Sequence, residues 1–307
     1  PFRWELDTAG AGPSDFVRAL AWLDDGRQLE DVAFLSGLQD RVEVNLVQVF
    51  VVVTDRDDRP VTDLGAEDFV LRRGKTDQPI EQFSIAEQVP LLLGLVVDTS
   101  LSMMTIMADT QRAAAQFLAT TVTPIDRAFV VDFDDRPKLA QGMTGDMLQL
   151  MRGLGGLEAG GVTAMYDAIL FSLLQFEGER GRRALVLLSD GDDYRSRFGY
   201  ARVERTVRDA ALPVYAIALA GLDPERPSFR KVDLDDLTKA SAGRVFYVDS
   251  MDDVDSAYDV ISAELRNQYV LAFSTDRPLE REELSRIEVE TTDRQHRIRF
   301  TVGQGLD

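Results

Sequence analysis

From residue 42 to residue 53 nearly every second position is aliphatic, and Val49, Val51 and Val53 alternate with Gln48, Phe50 and Val52. Alternation at a period of two predicts one long strand, apolar here on both sides. A turn from Asp55 to Pro60 follows. Phe69 with Leu71, the Arg73-Gly74-Lys75 turn, and Ile80 with Phe83 then predict further short strands, so residues 41–88 read as β-rich. Upstream, Phe16 to Trp22 and Asp31 to Phe34 flank the turn Asp24-Asp25-Gly26-Arg27. A hairpin cannot hide its apolar face alone, so residues 1–40 read as the end of an immunoglobulin-like β-sandwich segment.

At about Pro90 the rhythm changes. Apolar runs of four to eight residues appear at Leu91 to Val97, Ala128 to Phe133, Ala184 to Leu188, Val214 to Leu219 and Val245 to Val248. Between them lie segments with helical spacing, including Ile169, Leu170, Leu173 and Leu174, and later Val254, Tyr258, Ile261 and Leu265. Continuous apolar strands alternating with helices predict a sheet covered on both faces, so residues 89–267 are expected to form a doubly wound, mostly parallel α/β domain. After it, Tyr269 to Phe273, Ile287 to Val289 and Ile298 to Val302 return to strand spacing, with a polar insertion around Asp276 to Glu283. Residues 268–307 are thus C-terminal strands that can pair with residues 41–88, leaving the α/β segment flanked on both sides by β-sandwich-like strands.

Composition narrows the chemistry. The chain has 307 residues, 45% hydrophobic and 28% charged, which is an ordinary globular balance and long enough for two domains. Its 34 basic and 53 acidic residues give a net charge of −19, a surface that repels nucleic acid and anionic lipid. Without cysteine there are no disulfides, thiolate sites or cysteine nucleophiles, and the compartment stays open. No apolar run approaches a membrane span, and the sequence starts at Pro1 without a signal-like segment, a start from which export cannot be judged.

In open α/β sheets ligands collect beyond the carboxyl ends of the strands. One predicted strand ends in Asp98-Thr99-Ser100-Leu101-Ser102, and another in Ser189-Asp190-Gly191-Asp192-Asp193. Between them a glycine-rich loop, Gly160-Gly161-Val162-Thr163, opens a helix. Asp98, Ser100, Ser102, Thr163 and Asp190 are all hard oxygen donors with few carboxylates, the mixture that suits Mg2+, and glycines 160, 161 and 191 let the backbone approach an ion. Taken singly, each turn could equally be a helix cap.

The Asp-x-Ser-x-Ser turn, the Thr in a Gly-Gly-x-Thr-Ala loop and the later Asp-Gly resemble the metal-ion-dependent adhesion site of von Willebrand factor type A (VWFA) domains. All five positions are filled; Leu101 stands where that family often has Gly, which touches loop geometry rather than the donors. The resemblance implies a six-stranded Rossmann-like sheet. It implies Mg2+, with Mn2+ or Ca2+ in its place, contacted by Ser100, Ser102 and sometimes Thr163, and by Asp98 and Asp190 directly or through water. It also implies a protein partner whose Asp or Glu carboxylate completes the shell. The order of segments, with Val51 to Leu64 and Glu67-Asp68-Phe69 ahead of the metal turn, is similar to bacterial VWFA-related proteins from about residue 42 to the end. That resemblance favours a periplasmic, secreted or cell-surface location and strengthens the domain assignment more than the biological role, for which the metal site points to a non-enzymatic adhesion or scaffold module.

Asp132-Phe133-Asp134-Asp135 offers a competing chemistry, since two aspartates spaced by one residue after an apolar strand resemble the nucleophile loop of haloacid-dehalogenase-type phosphatases. Arg136 stands where that family has a small hydroxyl residue, so the cluster is expected to be a solvated acidic loop. His296, the one histidine, reads as an exposed strand residue, which removes Ser-His catalysis and histidine-rich zinc sites. Arg195, Arg197 and Tyr200 fall at the rim of the metal face, and Met103, Met104 and Met107 read mainly as helix packing.

Overall fold

A computed structural model describes residues 16–22, 28–34, 45–86, 89–179, 181–189, 193–219 and 231–304. The chain divides into two compact units, Pro1–Val44 and Asn45–Asp307. In the first, β1 (Phe16–Trp22) and β2 (Gln28–Phe34) pair antiparallel, with Phe16 opposite Phe34 and Trp22 opposite Gln28. The turn assigned to residues 24–27 lies outside the described residues, as does the rest of that sandwich segment.

The second unit begins with β3 (Asn45–Thr54), β4 (Phe69–Arg73), β5 (Thr76–Gln78) and β6 (Gln82–Ile85). The α/β body follows: β7 (Leu91–Asp98), α1 (Met107–Thr121), β8 (Arg127–Phe133), β9 (Pro137–Thr144), α2 (Met147–Gly155), α3 (Met165–Leu174) and β10 (Arg182–Ser189). It continues through α4 (Tyr200–Ala210), β11 (Val214–Ala218), α5 (Lys231–Ala240), β12 (Arg244–Tyr247) and α6 (Met251–Arg266). The chain then runs through β13 (Tyr269–Thr275), α7 (Arg281–Leu284), β14 (Ile287–Thr291) and β15 (Arg297–Gln304).

The body is a six-stranded sheet in the order β12-β11-β10-β7-β8-β9, parallel throughout except for β9. This is the doubly wound, mostly parallel arrangement that the apolar runs predict. Every residue of β7 is buried, and its alternate side chains feed two cores. Leu91, Leu93, Leu95 and Val97 pack with α1, α2 and α6, while Leu92 and Val96 pack with α3, α4 and α5. Gly94 faces the second core, where an added Cβ would stand 2.4 Å from Phe129 Cζ and 2.7 Å from Leu185 Cδ1. The missing side chain makes room for Phe129 to meet Phe176 edge-on at 5.0 Å. Of the helical residues singled out by spacing, Val254, Tyr258, Ile261, Leu265, Ile169 and Leu173 are buried, whereas Leu174, at the last turn of α3, is exposed. The antiparallel strand β9 has no counterpart among the predicted runs. It lies at the sheet edge, none of its residues is fully buried, and its pairing with β8 shifts register around Val130, so no clean period marks it.

Residues before and after the body meet in one lobe. One sheet runs β15-β3-β13-β6 and a second runs β14-β4-β5, all antiparallel. Val47, Val49, Val51 and Val53 of β3, Phe69 and Leu71 of β4, and Ile287 and Val289 of β14 share one core. Tyr269 closes it, its ring 5.1 Å from that of Phe69, its hydroxyl donating to Val61 O and accepting from Leu64 N. The chain enters and leaves the body side by side: Ala86 N donates to Gln268 O at 2.8 Å, and Ile85 stands opposite Tyr269. Buried Arg182 bridges this neck, donating to Val89 O, Leu265 O and Gln268 Oε1 at 3.1, 2.7 and 3.0 Å. Burial lowers its pKa to about 10, which still leaves the guanidinium charged at neutral pH. Among the described residues no helix is long and apolar enough to cross a membrane.

Candidate metal centre

Asp98 is the last residue of β7 and is fully buried. Its carboxylate is held from two sides. Oδ1 accepts from Ser100 N at 2.8 Å, and Oδ2 accepts from Ser189 Oγ at 2.6 Å. Ser189 ends the neighbouring strand β10, whose Leu188 stands opposite Val97, so sheet register delivers the hydroxyl to Asp98. Sequence reading missed this contact; the available signal was a hydroxyl closing an apolar run beside a second polar strand end.

After Asp98 the chain tightens into a 3-10 turn, Leu101–Thr105, with Ser100 as its N-cap residue. The Ser100 side chain makes no capping bond to that turn; its hydroxyl is hydrogen-bonded to that of Ser102, Oγ to Oγ 2.9 Å. That spacing bears on metal fit. Oxygens about 2.05 Å from an octahedral Mg2+ are separated by about 2.9 Å along an octahedron edge. Two neutral hydroxyls at that spacing, next to a carboxylate, form a hard-donor set that suits a small divalent cation. Among the described residues no group of three His, Cys, Asp or Glu side chains gathers for a metal, so the set depends on hydroxyls.

Thr163 is buried two residues before α3, and its helix is not capped by a side chain at Ala164. The loop carrying it is laced to the Asp98 turn: Gly160 N donates to Thr99 O at 2.7 Å, and Leu101 N to Gly161 O at 3.2 Å. Gly161 has φ of +70°, and an added Cβ would meet Asp134 Cβ at 3.0 Å, so this position needs glycine on both counts. Thr163 O accepts from the backbone N of Tyr194 and of Arg195, both at 3.0 Å, which ties in the loop after β10. Asp98, Ser100, Ser102 and Thr163 thus stand on loops bonded to one another at one end of the sheet. Asp190 and Gly191 lie outside the described residues.

The acidic loop after β8 is not simply solvated, which corrects the expectation. Asp132 is buried, and loss of solvent pushes its pKa up despite Lys138 nearby. Burial also disfavours the charged form of Asp134, but a 2.7 Å bond from Lys138 Nζ and one from Arg136 N outweigh it and lower its pKa. Asp134 O accepts from Ala164 N and Asp135 Oδ1 from Val162 N, so this loop positions the glycine loop. Asp193 does similar work from the other side, accepting from Tyr166 N at 3.1 Å and from Ser196 Oγ, with its pKa raised by burial. Arg195 and Arg197 are exposed at the rim, and Tyr200 is half-buried. Met103 and Met107 pack in the core while Met104 is exposed. His296 lies in the turn before β15 rather than within a strand, with its side chain mostly covered.

Sheet order, one antiparallel edge and polar loops gathered over the ends of β7, β8 and β10 define a doubly wound α/β domain of Rossmann-like winding. Residues 93–192 match the family model described as von Willebrand factor type A domain. Three solved structures share the fold at low identity. The D319A mutant of the PilB minor pilin from Streptococcus sanguinis is 12% identical, over 83% of this chain and 85% of that one, with a TM-score of 0.51. A von Willebrand factor type A protein from Catenulispora acidiphila is 12% identical over 86% and 73%, with a TM-score of 0.51. Proximal thread matrix protein 1 from the mussel byssus is 15% identical over 63% and 51%, with a TM-score of 0.52. No curated protein matches the sequence.

Proposed function

We propose that the chain is a non-enzymatic, metal-dependent protein-binding module of adhesion or scaffold type. In this reading Asp98, Ser100, Ser102, Thr163 and Asp190 hold one Mg2+, with Mn2+ or Ca2+ able to replace it, and a partner's Asp or Glu carboxylate joins them. The observation that carries the reading is the Ser100 and Ser102 hydroxyl pair, 2.9 Å apart beside buried Asp98 and not spent on capping. When bound, the cation supplies electrostatic attraction for an incoming carboxylate. Ser189 and the Ser100 amide fix the Asp98 carboxylate, so little reorganisation accompanies binding. Three of the five donors are uncharged hydroxyls, which leaves Asp98 and Asp190 as the set's only anions.

The phosphatase alternative finds less support. It needs Asp132 and Asp134 as a working pair, whereas Asp134 is engaged by Lys138 and the Arg136 amide. The similar structures are by name a minor pilin and a thread matrix protein, which supports an interaction role and a periplasmic, secreted or cell-surface setting.

Affinity capture from the native source in Mg2+, followed by elution with chelator, tests the proposal. A partner released by chelator, and lost with Asp98→Ala or Asp190→Ala, is the expected result. Capture indifferent to chelator and to both substitutions would sink it. Chelation that lowers the melting temperature while no partner is ever captured would replace it with a purely structural metal.

A further inference from the structure

The loops around Asp98 also carry a collar of apolar side chains that cation binding does not use. Leu101 and Met104 are each 59% exposed, Val162 41%, Tyr194 69% and Phe198 40%. Isolated exposed apolar residues are ordinary, but these five are nearly half of the eleven large hydrophobics exposed among the described residues, and all lie on the turn after β7, the glycine loop or the segment between β10 and α4. Backbone bonds tie these three segments together: Leu101 N donates to Gly161 O, beside Val162, and Tyr194 N to Thr163 O. The turn has its own buried side chain in Met103, so Met104 projects outward by its place in the turn rather than for want of a core. Aromatic residues and Met are the types enriched where proteins meet.

Charge selects the occupant. The chain carries −19 overall, and Asp134 and Asp135 stand next to the glycine loop, so a polyacidic segment is repelled. Arg195 and Arg197 are exposed on the segment between β10 and α4, and Lys138 is taken up by Asp134. We infer that the collar receives a partner segment in which a single Asp or Glu is flanked by bulky apolar residues on an otherwise neutral or basic surface. This rests on the metal-binding reading: the carboxylate anchors at the cation, and the flanking side chains cover Leu101, Met104, Val162, Tyr194 and Phe198.

The test uses two fluorescent peptides in fluorescence anisotropy, one with a central Asp flanked by Leu and Phe, the other with the same Asp flanked by Gly. In Mg2+ the apolar-flanked peptide is expected to bind at least ~10-fold tighter, about 1.4 kcal/mol. A Met104→Ser, Tyr194→Ser, Phe198→Ser variant, its fold checked by circular dichroism, is expected to cut that ratio below ~2-fold. Equal affinities for the two peptides in Mg2+ would overturn the collar while leaving the metal reading in place. A preference that survives chelator, or replacement of the peptide Asp by Asn, would overturn the metal anchor instead. Failure of both peptides to bind in Mg2+ would overturn both.

Discussion

Gly161 shows how much of the site depends on one backbone angle. At φ of +70°, with Asp134 Cβ 3.0 Å from where a side chain would begin, Gly161→Ala meets both an unfavourable conformation and a crowded neighbour. The expected loss is about 1–2 kcal/mol in urea unfolding, and the proposed metal reading adds weaker Mg2+ binding through a shifted Thr163 loop. Glu283 offers a titration test. Hydrogen bonds from Arg277 hold its pKa at about 2, below its ordinary 4.5. A lowered folded-state pKa contributes stability above the ordinary value and loses it as pH falls toward 2, and exposure keeps the contribution small. Arg277→Gln should return the Glu283 carboxyl to the ordinary range in an NMR pH titration. The residues of the candidate site were legible because each follows a buried strand or opens a helix in the order a resemblance could match. The supporting groups were not: Asp135 and Asp193 each act on a backbone amide 27 residues away, and no local pattern records that distance.

At the scale of elements, α6 was readable because Val254, Tyr258, Ile261 and Leu265 recur at helical spacing and all pack inward. Its main partner is α1, where the Phe117 ring stacks on that of Tyr258 at 4.3 Å with planes 19° apart. Phe117→Ala should therefore cost about 3–5 kcal/mol in chemical denaturation, the usual loss for a buried aromatic. The parallel strands were readable for a related reason: a strand covered on both faces has no solvated positions, so its run is continuous. Strand β9 fails that test. It is half-covered and out of step with β8 at its bulges, so neither a continuous run nor an alternation survives.

At the scale of the molecule, ion pairs join the α/β body to the β lobe. Arg299 of β15 donates to Glu264 of α6 at 2.6 Å and to the carbonyls of Ala242 and Gly243, while Arg244 reaches both Glu264 and Asp58. Glu264 is fully buried, so Arg299→Met removes a close partner of a desolvated charge and should cost about 3–5 kcal/mol. The double variant with Glu264→Met should lose less than Arg299→Met alone, and a double-mutant cycle in urea measures the difference. Such pairs are illegible in sequence, since 35 positions separate Glu264 from Arg299 and 186 separate Arg244 from Asp58.

The neck at Ala86 and Gln268 has a consequence in chain entropy. Strands β6 and β13 pair as the two arms of a hairpin, with the whole α/β body hanging where a short turn would be. If the body were unfolded, closing a loop of roughly 180 residues would cost the lobe about 4–5 kcal/mol, from (3/2)RT ln n. A folded body holds those ends together and removes that loss. Substitutions deep in the body, such as Phe117→Ala, should therefore lower the lobe's resistance to hydrogen exchange without touching it. Joining Ala86 to Gln268 through a two-residue Asn-Gly turn should leave the lobe strands folded, and no longer hostage to a loop.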